Sequence, residues 1–211
     1  MKWENIYEFS FSHPVVMVID MQNDFCHQGG VYYRNNPQTF NVSGIKKMIP
    51  TLVHFIGQLR RKKIPVVFCK YLLDDQARDA GIYLRARPFL RKEGLRKNTW
   101  GGDIIDELEP LKNDFIVEKS RYSAFYNTNL EVVLRSLKAE TLFFTGIATN
   151  LCVESSLRDA FFRDYQCVLV EDCCKAWNEE YHLAAVRNVI HGLFGMVVAS
   201  SDLLASIAQE L

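Results

Sequence analysis

The chain has 211 residues, 48% of them hydrophobic, enough to bury a sizeable core in a single domain spanning residues 1–211. Twenty-five lysines and arginines balance twenty-five aspartates and glutamates, so nothing in the overall charge favours nucleic acid or an anionic membrane as a partner. No apolar run approaches the ~20 residues of a membrane span. Met1 to Pro14 lacks the basic and apolar blocks of a signal peptide. The six cysteines (Cys26, Cys69, Cys152, Cys167, Cys173 and Cys174) show no CxxC or zinc spacing. These features predict a cytoplasmic protein with reduced thiols.

In chain order, strands and helices alternate. Val15 to Asp20, after Pro14, is an unbroken apolar run and reads as a first buried strand. Residues 21–42 carry Gly, Asn and Pro and read as a loop. A helix runs from there to about Lys62, with Leu52, Val53, Ile56 and Leu59 on one face and Pro50 in its first turn. Pro65 to Lys70 is the second strand. The mostly polar segment from Tyr71 to Gly102 is too long for a simple connection and reads as a functional loop or lid. Asp103 to Leu108 predicts a short helix, and Phe115 to Val117 a third strand. Thr128 is placed to cap a helix reaching Leu137, with Leu130, Val133, Leu134 and Leu137 on one face.

Leu142 to Tyr165 organises the rest. Thr141 to Phe144 fills a fourth strand, a break follows at Thr145-Gly146, and a helix then presents Val153, Leu157, Ala160 and Phe161 together. Cys152 falls in the first turn of that helix, which Thr149 or Asn150 would cap. The positive end of the helix dipole favours a thiolate there. Cys167 to Val170 is a fifth strand. Glu179 to about Phe194 is a helix grouping Leu183, Val186, Ile190 and Leu193, Met196 to Val198 is a sixth strand, and Ser201 to Glu210 is a last helix.

Continuous apolar strands separated by amphipathic helices predict an α/β fold, a doubly wound six-stranded parallel sheet in three layers. The usual strand order 3-2-1-4-5-6 sets strands one and four side by side, with the expected binding crevice outside their carboxyl ends. Asp20 ends strand one and Cys152 follows strand four, so the topology brings them to one pocket.

Three segments then carry a family resemblance. Val18-Ile-Asp-Met-Gln-Asn-Asp-Phe25, Glu118-Lys-Ser-Arg-Tyr-Ser-Ala-Phe125 and Gly146-Ile-Ala-Thr-Asn-Leu-Cys-Val153 resemble the three signatures of the isochorismatase-like cysteine hydrolases. From Trp100 to about Tyr165 the chain looks most like the ureidoacrylate amidohydrolases, with biuret-type hydrolases close by. The resemblance implies a Rossmann-like isochorismatase fold and a triad of Asp20, Lys119 and Cys152. It also implies a cis peptide before Ala148, with the N–H groups of Ala148 and Cys152 forming an oxyanion hole. The implied activity is cysteine-dependent hydrolysis of a C–N bond in a small ureido or N-carbamoyl compound. An isochorismatase, or another small-amide hydrolase of the same fold, is the alternative. The implied assembly is a homo-oligomer, dimer or tetramer.

The residue types suit that chemistry. A Cys152 thiolate attacks a carbonyl carbon, Asp20 takes the thiol proton and returns it to the leaving nitrogen, and cationic Lys119 favours both anions. Phe25, Tyr71, Trp100 and Tyr122 are aromatics on loops near the active face and read as pocket walls. The nicotinamidase branch of the family binds a divalent metal through an Asp-x-His pair and a later His beyond strand two. Here Tyr71 to Asp79 reads YLLDDQARD, without histidine, so no metal and no cofactor are expected. Tyr71 also stands where the ureidoacrylate pattern has asparagine.

Overall fold

The computed structural model describes residues 11–191 and 193–210. Met1 to Ser10, most of the segment read for a leader, lies outside them. The strands are β1 (Pro14–Ile19), β2 (Val66–Tyr71), β3 (Phe115–Lys119), β4 (Thr141–Ile147), β5 (Gln166–Lys175) and β6 (Met196–Val198). All five pairings are parallel, and the order is β3-β2-β1-β4-β5-β6. The winding reverses at β1, whose Ile19 lies beside Cys69 of β2 and Gly146 of β4. β1 and β4 are buried along their whole length, as strands covered on both faces must be. β3, at the edge, alternates instead: Val117 and Lys119 are buried, Ile116 and Glu118 exposed.

The helices are α1 (Asn23–Cys26), α2 (Val31–Asn35), α3 (Ser43–Arg61), α4 (Tyr83–Ala86), α5 (Leu130–Ser136), α6 (Glu154–Phe161), α7 (Glu179–His191) and α8 (Ser200–Glu210). Right-handed crossovers put α3 on one face of the sheet and α5, α6 and α7 on the other. α8 returns to pack against α3. None of these helices is long and apolar enough to cross a membrane.

Several sequence expectations are corrected. Residues 21–42 hold α1 and α2 rather than loop alone. Pro50 lies well inside α3 instead of in its first turn. It is tolerated because Pro50 and Lys46 are both exposed, so water reaches the Lys46 carbonyl that loses its partner. Val53 and Phe161 fall on the exposed margins of their helices. Residues 103–108 form a single 3₁₀ turn, Asp106–Leu108. The break read at Thr145-Gly146 is absent from β4, which runs on to Ile147 in unbroken register with β1; there the pairing with β5 shifts, the extra residues lying in β5.

Gly146 has φ +100°, and a Cβ there would collide with the Ile19 carbonyl, so glycine lets β4 approach β1 where the pocket opens. α7 buries His182, Ala185, Val186 and Val189, while Leu183 is exposed. Leu193 lies beyond the helix with φ +57°, and the Ile190 side chain lies outside the described residues. The apolar stripe is rotated because His182 turns inward.

Candidate active site

Asp20 follows β1 in the left-handed region, φ +51°, its N–H donating to the Cys69 carbonyl at 2.9 Å. That conformation turns its carboxylate back over the carboxyl end of the sheet. Lys119 reaches the same point from β3 because the edge strand's two-residue period points it inward with Val117. Its Nζ donates to Asp20 Oδ2 at 2.7 Å and to the Arg121 carbonyl at 3.1 Å, and lies 4.7 Å from the centre of the Tyr71 ring.

Cys152 arrives from β4. The chain leaves that strand through a cis Ile147–Ala148 peptide and enters a π-helical turn, Thr149–Val153, before α6 begins. No side chain caps this turn; Thr149 Oγ1 instead meets His182 Nδ1 at 2.9 Å. Ser156 Oγ donates to the Cys152 carbonyl at 2.7 Å and accepts from Ala124 N–H at 2.9 Å. This hydroxyl ties the cysteine turn to the segment that follows Lys119.

Burial governs the electrostatics. It raises the Asp20 pKa above the ordinary carboxylate value, against the opposing pull of Lys119 and the Cys152 thiol. Lys119 remains raised in spite of burial, because Asp20 and Cys152 face it. The Cys152 thiol is pushed well above its ordinary value by burial first and the Asp20 charge second, with Lys119 opposing. Burial and the Asp20 charge thus oppose the dipole-stabilised thiolate expected from the sequence and favour the thiol. Asp20 Oδ1 is buried without a hydrogen-bond partner, an acceptor in position for a proton.

Asp20, Phe25, Tyr71, Tyr83, Tyr122, Ile147, Ala148, Leu151, Cys152 and Trp177 line one cavity of about 10 Å³, on the order of the space one water needs. Lys119 lies immediately behind it through its bond to Asp20. Phe25, Tyr71 and Tyr122 are thus at the cavity, as are Ala148 and Cys152 of the expected oxyanion hole. Trp100 is not. Its ring is half exposed, edge-on to His27, because the turn Trp100–Gly102 offers its backbone inward, the Trp100 carbonyl accepting from Asn23 Nδ2 at 2.8 Å.

Trp177 takes the place at the wall, stacked on Tyr32 at 5.6 Å and donating from Nε1 to the Phe25 carbonyl at 3.2 Å. The signal for Trp177 was its position two residues beyond β5, at the carboxyl edge of the sheet. Tyr83, on α4, is joined to Tyr32 by a 2.5 Å hydroxyl contact and had no comparable signal. Gln22, fully buried, fastens the site's frame: Nε2 donates to the Tyr71 and Gly102 carbonyls, each at 3.0 Å, and Oε1 accepts from Tyr71 N–H at 2.6 Å. All six cysteines are buried and free. Among the described residues no group of three or more His, Cys, Asp or Glu side chains is arranged to hold a metal ion.

Known proteins agree with this architecture. The model of the isochorismatase domain matches residues 14–202. The ureidoacrylate amidohydrolase RutB of Rhizobium rhizogenes is 34% identical over 211 residues, covering 94% of this chain and 85% of that protein. RutB of Pantoea ananatis is 36% identical over 215 residues, covering 96% and 85%. The N-carbamoylsarcosine amidase structure from Thermoplasma acidophilum superposes with a TM-score of 0.71 at 26% identity, covering 89% of this chain and 96% of that one. The chain belongs to the isochorismatase family.

Proposed function

We propose that the protein is a cysteine amidohydrolase that cleaves a C–N bond of a small ureido or N-carbamoyl compound of the ureidoacrylate type, with Asp20, Lys119 and Cys152 carrying the reaction. The observation behind this reading is the convergence of a carboxylate, an ammonium and a thiol at one aromatic-walled cavity. The similarity to ureidoacrylate amidohydrolases and to an N-carbamoyl amidase supports the substrate class.

With burial favouring the thiol, attack and deprotonation are coupled. Cys152 Sγ adds to the ureido carbonyl carbon as its proton passes to Asp20. The N–H groups of Ala148 and Cys152 receive the developing oxyanion. Asp20, now an acid, protonates the leaving nitrogen; the C–N bond breaks, releasing an amine or amide and leaving a carbamoyl thioester on Cys152. A water, deprotonated by Asp20, attacks that thioester and regenerates the thiol. The carbamic acid released decomposes to ammonia and carbon dioxide. Lys119 keeps Asp20 ionised between proton transfers, against the burial that would neutralise it. The same reading places the enzyme in the cytoplasm as a homo-oligomer, dimer or tetramer, which light scattering of the purified protein tests.

The decisive experiment compares kcat/KM for ureidoacrylate, N-carbamoyl amino acids and biuret with that for nicotinamide and isochorismate, alongside mass spectrometry of the quenched enzyme. A ureide should lead the panel, and a carbamoyl adduct should map to Cys152. Isochorismate or nicotinamide leading every ureide overturns the substrate class, and turnover retained within tenfold by Cys152→Ala overturns the nucleophile.

A further inference from the structure

The cavity at Cys152 is no larger than about one water, so a substrate whose carbonyl reaches the sulfur must extend past one of its walls. Three of those walls, Tyr71, Tyr83 and Tyr122, are shared with a second chamber of about 450 Å³. The rings form a partition two contacts wide, Tyr71 to Tyr83 at 5.6 Å and Tyr83 to Tyr122 at 5.6 Å. Beyond it the chamber is lined by alanines, Ile82 and two guanidinium groups, Arg85 and Arg121, with no acidic residue.

The cations of the lid and of the turn after β3 are not equivalent. Arg96 spends its donors on the carbonyls of Asp75, Leu90 and Gly94, and Lys97 pairs with Glu118. Among the described residues, Arg85 and Arg121 have no carboxylate partner. Arg121 is held in place: Nη1 donates to the carbonyls of Asp79 and Ser120, each at 2.7 Å. Its Nη2 is left beside Gly81, where a Cβ would stand 2.8 Å away, at a residue with φ +56°. Glycine there keeps that edge of the guanidinium open. The Arg121 backbone carbonyl, meanwhile, accepts from Lys119, so the cation is registered to the reacting centre.

We propose that this chamber is the subsite for an anionic group on the substrate, a carboxylate at the end remote from the ureido carbon, gripped by Arg121 with Arg85 at the mouth. A fixed guanidinium edge matches a carboxylate's two oxygens. The chamber thereby selects ureido acids over neutral ureides. This inference rests on the ureide reading above and adds to it the residues that choose among ureides.

The test uses N-carbamoyl-β-alanine and its carboxamide, which differ in charge and little in size. Wild type should prefer the acid by at least tenfold in kcat/KM, mostly through KM. Arg85→Gln and Arg121→Gln should each lower the acid-to-amide ratio at least fivefold, and the double variant should bring it near one. Circular dichroism reports whether each variant is folded; should Arg121→Gln unfold, Arg85→Gln and Gly81→Ala carry the decision, the latter by crowding Nη2. Equal hydrolysis of acid and amide by wild type, or a ratio that survives in the folded variants, overturns the subsite while leaving the amidohydrolase standing. Failure of wild type to hydrolyse either ureide, with activity on another member of the panel, overturns the ureide reading and the subsite with it.

Discussion

Lys119 Nζ lies 2.7 Å from Asp20 Oδ2 with both side chains almost wholly excluded from solvent, joining the end of β3 to the end of β1 across the intervening β2. Charges buried this deeply are tolerable as a pair and costly singly. Lys119→Met or Asp20→Asn should therefore lower unfolding stability by about 3–5 kcal/mol and reduce turnover by roughly 10²–10⁴-fold. The double variant should regain much of the stability and none of the activity. Urea unfolding and steady-state rates check this; a double variant no more stable than the singles would show that the pair is not the source of the loss.

The thiol chemistry is testable by pH. Since burial and Asp20 hold Cys152 well above the ordinary thiol range, its thiolate fraction should grow about tenfold per pH unit through neutrality. Iodoacetamide labelling of Cys152, mapped by peptide mass spectrometry, should accelerate from pH 7 to 9 without levelling. A plateau below pH 8 would mean that a thiolate is already present at rest.

His182 offers a stability test. Burial, followed by the Lys175 charge, lowers its pKa from 6.5 to about 4, so the folded chain keeps it neutral beside Thr149. Between those values the unfolded chain binds the extra proton. The contribution is thus complete above about pH 6.5 and lost as the pH falls toward 4, by up to ~1.4 kcal/mol per pH unit. His182→Gln should flatten that part of the profile. Parallel slopes for the two proteins between pH 7 and 5 would assign the acid sensitivity to other groups.

Metal dependence is predicted to be absent, because Tyr71 to Asp79 offers no histidine and the thiol supplies the nucleophile. Prolonged dialysis against a chelator should leave kcat/KM unchanged. A rate lost on dialysis and restored by zinc, iron or manganese would contradict it.

Much of this was legible from residues alone, and the reasons divide cleanly. The strand order and the meeting of Asp20 with Cys152 follow from apolar runs and the topology they force, and Lys119 came from a motif whose edge-strand period then explained its direction. Pro50 misled because a proline's lost hydrogen bond matters little on a wet helix face. The α7 stripe was misread because one polar side chain, His182, took an interior place to bond Thr149. Trp177 stands at the cavity in place of Trp100 for a reason no periodicity carries: the Trp100 backbone carbonyl is bonded to the Asn23 side chain, while the Trp177 indole donates to the Phe25 carbonyl.

Gln22 fastens Tyr71 and Gly102 with one side-chain amide, and these residues are the two ends of the lid. A segment clipped at its base in this way is a separable part. Its interior, 73–101, meets the rest of the chain at Asp79, Tyr83, Leu95 and Trp100, and can change between those points while the anchors keep their spacing. Lys119 ends β3, Asp20 directly follows β1 and Cys152 lies in the turn after β4, so none of the three comes from the lid. Substrate preference and bond-breaking machinery can then diverge independently, and transplanting residues 73–101 together with residue 121 between relatives is the natural way to move specificity from one scaffold to another.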